Sequence, residues 1–192
     1  VIRKENGLRT TQRTSHCFVM DIPEWPKPII ITDAALNVAP ETKHKISITQ
    51  NALDLAQAIG IASPKAAVLS AVESPNPGIP SSVEAREVAE ADWPVGMVDG
   101  PFALDNAVSL RAAKLKGIES PVAGDADILI MPSIEAGNIL FKGLVYLAGA
   151  ETAGLVVGAK APVILTSRAD SADARIASCA LGVLYANHFS QK

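Results

Sequence analysis

Aromatic residues are scarce in this sequence, since Trp, Tyr and Phe make up 4% of its 192 residues while hydrophobic residues make up 48%. Such a core must be built from Ala, Val, Ile and Leu, which is typical of parallel sheets covered by helices. Basic charge is also limited, because 17 Lys and Arg against 20 Asp and Glu leave a formal net charge of −3. We therefore expect neither nucleic acid nor a membrane surface as a partner, because both attract a positive field.

Cysteines and long apolar runs are few as well. Cys17 and Cys179 both lie among apolar residues, which favours free thiols. No apolar run approaches the roughly 20 residues needed to cross a bilayer, and the first residues are too polar for a secretion signal. We therefore expect a soluble, cytoplasmic protein. The first methionine is Met20, which favours a fragment or a processed chain.

Short apolar runs alternate with segments of helical periodicity along the whole chain. We predict strands at residues 17–20, 29–31, 66–72, 95–98, 128–131, 154–157 and 163–165. We predict helices at 41–59, 81–91, 105–116, from Gly137 through Leu147, and at 171–185. This alternation predicts an α/β fold with three layers, in which helices cover both faces of a mainly parallel sheet.

Several common catalytic signatures are missing. No G-x-G-x-x-G loop and no G-x-x-x-x-G-K loop follows a strand, which argues against nicotinamide and nucleoside triphosphate binding. There is no H-E-x-x-H or C-x-x-C pair, and the three histidines, His16, His44 and His188, are scattered, so we predict no metal site. Ser167 is not part of a G-x-S-x-G elbow, which argues against a Ser-His-Asp triad.

Polar groups able to hold a phosphate or a carbonyl follow three of the predicted strands. They are Asp105, Gly137, Asn138, Lys142, Thr166, Ser167 and Arg168. Ligands in open α/β sheets collect where strands end and helices begin, and helix N-termini favour anions. Each residue also has an ordinary structural explanation as a turn, a cap or a solvated charge.

The segment after the last strand is the most informative of these. Its spacing predicts Ser167 as the N-cap of the final helix, with Asp170 as the reciprocal partner. Arg168 would then lie in the first helical turn, where the helix dipole is unfavourable for a cation. A bound anion would relieve that repulsion, so the sequence favours an anion site here.

Five segments form an ordered set that covers nearly the whole chain. They read ITDAALNVAP at 31–40, VDGPFALDNA at 98–107, KGI at 116–118 with PVAGDADIL at 121–129, EAGNILFK at 135–142 and VGAKAPVILTSRADS at 157–171. Together they resemble the phosphate acetyl/butyryl transferases, including the phosphate acetyltransferase half of bifunctional enoyl-CoA hydratase fusions.

The resemblance implies the reversible conversion of an acetyl- or butyryl-CoA and phosphate into an acyl phosphate and coenzyme A. Coenzyme A is a substrate, and no separate cofactor is implied. The resemblance also implies two α/β/α domains arranged as in isocitrate and isopropylmalate dehydrogenases, an active site in the cleft between them, and a homodimer formed largely through the second domain.

Motif position carries individual roles over from the family. Ser167 and Arg168 match its catalytic Ser-Arg pair, and an acidic residue follows shortly after. Acetyl-specific members place that acid where this chain has Ala174, so the nearest carboxylates are Asp170 and Asp173, and we choose Asp173 as the base. The resemblance implies substrate binding by Arg9, Asp105, Gly137, Asn138, Lys142 and Thr166.

Members of the family carry further residues before the position that matches Val1. We therefore expect residues 1–14 to be a remnant of a first domain or a linker, 15–162 to form the second domain, and 163–192 to supply a closing strand and helix of the first. Two other interpretations remain. The chain could be a catalytically incomplete module for coenzyme A binding or dimerisation, or a metal-dependent dehydrogenase of the same architecture, which the lack of clustered aspartates disfavours.

Overall fold

A computed structural model describes residues 7–23, 25–167 and 170–190, and its strands form one seven-stranded sheet. Every predicted strand is present. Their bounds are β1 Ser15–Asp21, β2 Ile29–Thr32, β3 Lys65–Leu69, β4 Met97–Phe102, β5 Ile128–Ile130, β6 Glu151–Val157 and β7 Val163–Ile164.

The strand order is β4-β3-β5-β2-β1-β6-β7. Strands β2 to β6 point the same way, whereas β1 runs antiparallel to β2 and β6, and β7 runs antiparallel to β6. The links 22–28 and 158–162 are too short for the crossover that parallel neighbours require. The sheet is therefore mostly parallel, and β1 is inserted in the opposite direction.

Six helices cover the two faces of the sheet in the described part of the chain. They are α1 Thr42–Ala58, α2 Pro80–Ala89, α3 Leu104–Val108, α4 Leu110–Leu115, α5 Ile134–Ala148 and α6 Ala172–Ser190. Alternate strand residues enter two separate cores. Ile30 packs in the core with α1, α2 and α6, whereas its neighbours Ile29 and Ile31 pack in the core with α3, α4 and α5. The predicted three-layer α/β/α fold is confirmed.

Two helix predictions were wrong in detail. The helix predicted over 105–116 is two helices, because Ser109 is extended (φ −124°, ψ 108°) and its side chain caps α4 by accepting from Ala112 N at 3.2 Å. Helix α5 begins at Ile134 rather than at Gly137. Ser133 is its N-cap, since the hydroxyl accepts from Ala136 N at 3.4 Å.

The last two elements continue this sheet. Strand β7 pairs with β6, and α6 packs across β6 and contacts α1. The domain boundaries after residues 14 and 162 stay a prediction. Both cysteines are free, Cys17 buried and Cys179 exposed, as predicted. Within the described ranges, no helix combines the length and apolar character required to span a bilayer.

Candidate active site

The predicted residues Gly137 and Asn138 lie in α5 where it meets the end of β2. A Cβ on Gly137 would lie 2.7 Å from the Asp33 carbonyl oxygen and 3.0 Å from Ala34 Cα, so glycine permits this close approach. Asn138 Nδ2 donates to the Ala34 carbonyl at 3.3 Å. Gly137 is buried and packs closely on the backbone after β2, and Asn138 joins the helix to the same residues.

Asp33, which follows β2, is a buried carboxylate that the sequence analysis did not identify. Its Oδ2 accepts from His16 N at 3.1 Å and from Asn37 Nδ2 at 2.6 Å. Its Oδ1 accepts from Ala35 N at 2.8 Å and Leu36 N at 2.9 Å. Four donors therefore compensate a charged group that is 3% exposed. The signal available in the sequence was an Asp directly after a strand, with Asn four residues later.

His16, also missed, joins β1 to the end of β7. Its ring lies inside the protein, and Nε2 is 2.8 Å from the Leu165 carbonyl oxygen. Burial lowers the pKa of His16, and the Leu165 carbonyl and the carboxylates of Asp33 and Asp170 only partly oppose that effect. The imidazole is therefore favoured in its neutral form.

The segment after β7 holds the predicted catalytic pair. Arg168 lies outside the described residues, but Ser167 is described, and its main-chain N–H donates to Asp170 Oδ2 at 2.6 Å. The predicted N-cap role of Ser167 is wrong. Helix α6 begins at Ala172, so the cap is the residue directly before it, Ser171, which accepts from Ala174 N at 3.1 Å. The predicted contact between Asp170 and Ser167 is present.

Asp173 lies in the first turn of α6 and lines a cavity of about 480 Å³. Asp170, Ser171 and Ala174 line the same cavity, and Asp21 and Glu151 face it from the ends of β1 and β6. The helix N-terminus stabilises a carboxylate at this position. The structure therefore places one predicted carboxylate, Asp170, against the Ser167 amide, and the other, Asp173, in the wall of a cavity that Asp170 also lines.

The other predicted binding residues are more dispersed. Thr166 precedes Ser167, and Lys142 is exposed on α5, one turn after Asn138. Asp105 lies within α3 and pairs with Lys116, with Oδ2 and Nζ 3.1 Å apart. Arg9 is exposed and forms a backbone bridge with Ala159, in the turn between β6 and β7. Neither Asp105 nor Arg9 belongs to the contacts that connect Asn138 with Ser167.

Those contacts form a continuous path across the sheet. It runs from Asn138 to the Ala34 carbonyl, from the neighbouring Asp33 to His16, and from His16 to Leu165, two residues before Ser167. Among the described residues, no three His, Cys, Asp or Glu side chains are grouped as a metal site. Hydroxyls and backbone amides beside carboxylates can stabilise a developing oxyanion and accept a proton.

Comparison with known proteins identifies the family. The family model for phosphate acetyl/butaryl transferase matches residues 1–183. A phosphate acetyltransferase of Rhizobium meliloti is 50% identical over 97% of this chain and 60% of its own, and a probable phosphate butyryltransferase of Bacillus subtilis is 46% identical over 99% and 65%. The chain thus spans about three fifths of the length of these relatives.

The fold agrees with that of a solved structure of similar sequence. The crystal structure of a branched-chain phosphotransacylase from Enterococcus faecalis matches with a TM-score of 0.88 and 39% identity, over 97% of this chain and 68% of that one. Sequence and fold thus agree over nearly the whole chain, and this protein belongs to the phosphate acetyl/butyryl transferase family.

Proposed function

We propose that this chain carries catalytic residues of a phosphate acyltransferase, which interconverts acyl-CoA plus phosphate and acyl phosphate plus coenzyme A. The observation that carries the proposal is the segment 157–171. It matches the family by sequence, and its Ser167 amide is bonded to Asp170 at 2.6 Å. Coenzyme A is a substrate in this reaction, and no further cofactor is proposed.

In the direction of acyl-CoA synthesis, the thiol of coenzyme A attacks the carbonyl carbon of the acyl phosphate. A C–S bond forms, the C–O bond to phosphate breaks, and the phosphate leaves with the bonding electrons. A thiol of pKa about 8.5 is only a few per cent thiolate at pH 7, so a base is needed. We assign the thiol proton to Asp173, which lines the cavity beside Ser171.

Two further roles complete the proposed chemistry. Ser167 donates to the oxyanion that develops on the acyl oxygen, and Arg168 binds the phosphate, for which a planar guanidinium is well suited. Thr166, Gly137, Asn138 and Lys142 contribute to substrate binding along the path between α5 and β7. Asp105 and Arg9 are assigned to more distant parts of the substrates, because they lie outside that path.

The test is phosphate-dependent release of thiol from acetyl-, propionyl- and butyryl-CoA, measured for the chain and two variants. We expect Ser167→Ala to lower kcat by about 10²- to 10³-fold, because it removes an oxyanion donor. We expect Arg168→Ala to lose most activity through weaker phosphate binding. Arg111→Ala in α4 is the matched control, because Arg111 is exposed and takes no part in the contacts that connect Asn138 with Leu165. Full activity in either test variant would overturn the proposal.

The base can be assigned with two matched carboxamide substitutions. We expect Asp173→Asn to lower kcat by about 10²- to 10⁴-fold, because it removes the base. Asp170→Asn should lower kcat less, because Asp170 accepts from the Ser167 amide and orients the loop. A larger loss of kcat in Asp170→Asn than in Asp173→Asn would transfer the role to Asp170.

We also propose that the protein is a cytoplasmic homodimer. Helix α5 supports the dimer, because Ile139, Tyr146 and Leu147 are 72%, 67% and 89% exposed and lie along neighbouring turns. Apolar side chains grouped at the surface mark interaction sites. A second copy of the chain is the proposed occupant of this surface.

A further inference from the structure

The pairing of β7 with β6 ends at Ile164, directly before Leu165 and Thr166, which lead to Ser167. Only Val163 and Ile164 are paired, with Val156 and Leu155. Gly154 is the next residue of β6 in this register, and its N–H donates to Ser178 Oγ in α6, at 2.9 Å. That amide therefore does not hold Leu165. The Leu165 carbonyl instead receives its hydrogen bond from the side chain of His16, at 2.8 Å.

Gly154 makes this side-chain contact possible. A Cβ on this residue would lie 2.6 Å from the Leu165 carbonyl oxygen and 3.1 Å from both Cε1 and Nε2 of His16. Real Cβ atoms are not found that close to a backbone oxygen, so any larger residue would push the ring and the carbonyl apart. The contact thus depends on a missing side chain in the strand between them.

His16 is held on several sides. Its main-chain N–H donates to Asp33 Oδ2, and its carbonyl accepts from Thr32 Oγ1 at 2.9 Å. The ring packs against Phe18 with centroids 4.2 Å apart, and Phe18 stacks on Phe141 of α5 at 3.7 Å. The ring position is therefore set by β2 and α5 rather than by the loop that it contacts.

The hydrogen bond also sets the tautomer. A carbonyl oxygen can only accept, so His16 Nε2 must carry the proton. Nδ1 is then a bare acceptor, and it is buried without a hydrogen-bond partner among the described residues. A buried polar atom with no partner is unfavourable, so fold stability alone does not explain a histidine here.

We propose that His16 is a positioning residue for Ser167: its Nε2–H holds the Leu165 carbonyl and so fixes the start of the loop that presents Thr166 and Ser167. Asp170 holds the other side of the same short segment through the Ser167 amide. Only the expected effect of His16 on catalysis rests on the proposed function. The placement of the loop is a separate claim and has its own measurements.

The tautomer is tested first, on the ¹⁵N-histidine-labelled chain. We expect two-bond ¹⁵N–¹H spectra to show one neutral imidazole protonated at Nε2 and bare at Nδ1, whose signals disappear in His16→Gln. A neutral His16 protonated at Nδ1, or a His16 that titrates like an exposed histidine, would overturn the proposal.

Loop placement is tested by amide hydrogen exchange at Ser167 in three proteins. His16→Gln keeps a donor close to the Nε2 position, whereas His16→Leu keeps volume and removes the donor. We expect exchange at Ser167 to accelerate about tenfold in the Leu variant, because one net hydrogen bond is lost, and to return near the wild-type rate in the Gln variant. If the Leu variant does not fold, His16→Asn replaces it, because the Asn side chain is too short for its amide donor to reach the Leu165 carbonyl.

Activity measurements distinguish a failure of this inference from a failure of the proposed function. With the thiol-release assay, we expect His16→Leu to lower kcat by about 10- to 100-fold with KM for acyl-CoA nearly unchanged, and His16→Gln to recover most of kcat. Equal losses in both variants, or unchanged exchange at Ser167 in His16→Leu, would overturn the positioning role. Full activity in Ser167→Ala would overturn the proposed function while leaving the tautomer and exchange results intact.

Discussion

At the scale of single residues, the Asp33 carboxylate is a junction between β1, β2 and the loop after β2. It accepts three main-chain N–H groups and the Asn37 amide while it is 3% exposed. Asn has nearly the same shape, but its amide nitrogen cannot accept a hydrogen bond. Asp33→Asn must therefore place an N–H₂ group against two of the N–H donors that now bond to the carboxylate. We expect this variant to lose about 3 kcal/mol of the free energy of unfolding, measured by urea denaturation.

Asp125→Asn is the matched control for that substitution. The Asp125 side chain is 56% exposed and pairs with Lys27 and Lys65 at the surface. Exposed ion pairs contribute little, so we expect a loss below about 1 kcal/mol. Equal losses in the two variants would show that the bonds to Asp33 do not stabilise the fold more than a surface ion pair does.

His16 makes the stability of the protein depend on pH. The unfolded chain binds a proton at the ordinary histidine pKa of 6.5, and burial lowers the pKa in the folded state. Below pH 6.5 the unfolded state therefore binds more protons, so the free energy of unfolding falls as the pH falls from 6.5 towards the folded-state pKa. The slope approaches about 1.4 kcal/mol per pH unit between the two pKa values.

The measurement compares urea denaturation of the wild type and His16→Gln between pH 8 and pH 5. His44 and the carboxylates are present in both proteins, so their contributions cancel in the difference. We expect the stability difference between the two proteins to be constant above about pH 7 and to move against the wild type at lower pH. Parallel curves over the whole range would contradict a buried neutral His16.

At the scale of elements, one hydroxyl joins α6 to the sheet. Ser178 is fully buried, and its Oγ accepts from Gly154 N at 2.9 Å and donates to the Ala174 carbonyl at 2.6 Å. Ser178→Ala leaves a buried β6 amide without an acceptor, so we expect a loss of about 1–3 kcal/mol in thermal or urea unfolding.

Ser190→Ala provides the comparison within the same helix. Ser190 makes the corresponding bond to the carbonyl four residues earlier, Ala186, but it is exposed. We expect a change within about 0.5 kcal/mol for this variant. A loss as large as that of Ser178→Ala would mean that the bond within the helix, rather than the bond to β6, is the stabilising one.

At the scale of the whole molecule, the proposed homodimer depends on the exposed apolar residues of α5. Leu147→Glu would place a charge in the proposed interface, and desolvation of that charge opposes association. We expect the dissociation constant, measured by analytical ultracentrifugation, to rise by at least about tenfold. Leu115→Glu is the matched control, since Leu115 is 78% exposed but ends α4. Unchanged association of Leu147→Glu, with dissociation of Leu115→Glu, would assign the interface to α4.

How far the sequence predicted the site differs from residue to residue. Ser167, Asp170 and Asn138 were predicted because they follow strands in family-like segments, which is a local signal, and their roles stay predictions. The N-cap of α6 was misplaced by four residues, because Ser167 and Ser171 are both suitable caps and only the residue at which α6 begins decides between them. His16 was missed because its partner Leu165 is distant in the sequence, whereas Asp33 had a local signal that was not used, an Asn four residues later.

The sequence by itself determined the seven strands, the alternation of their side chains between two cores and, through its motifs, the family. Those features depend on local period and composition, which a single chain shows directly. Only the tertiary structure decided that β1 lies antiparallel between β2 and β6, where His16 meets Leu165 across Gly154. Strand order is set by the packing of distant segments, and no local pattern encodes which carbonyl a buried imidazole will reach.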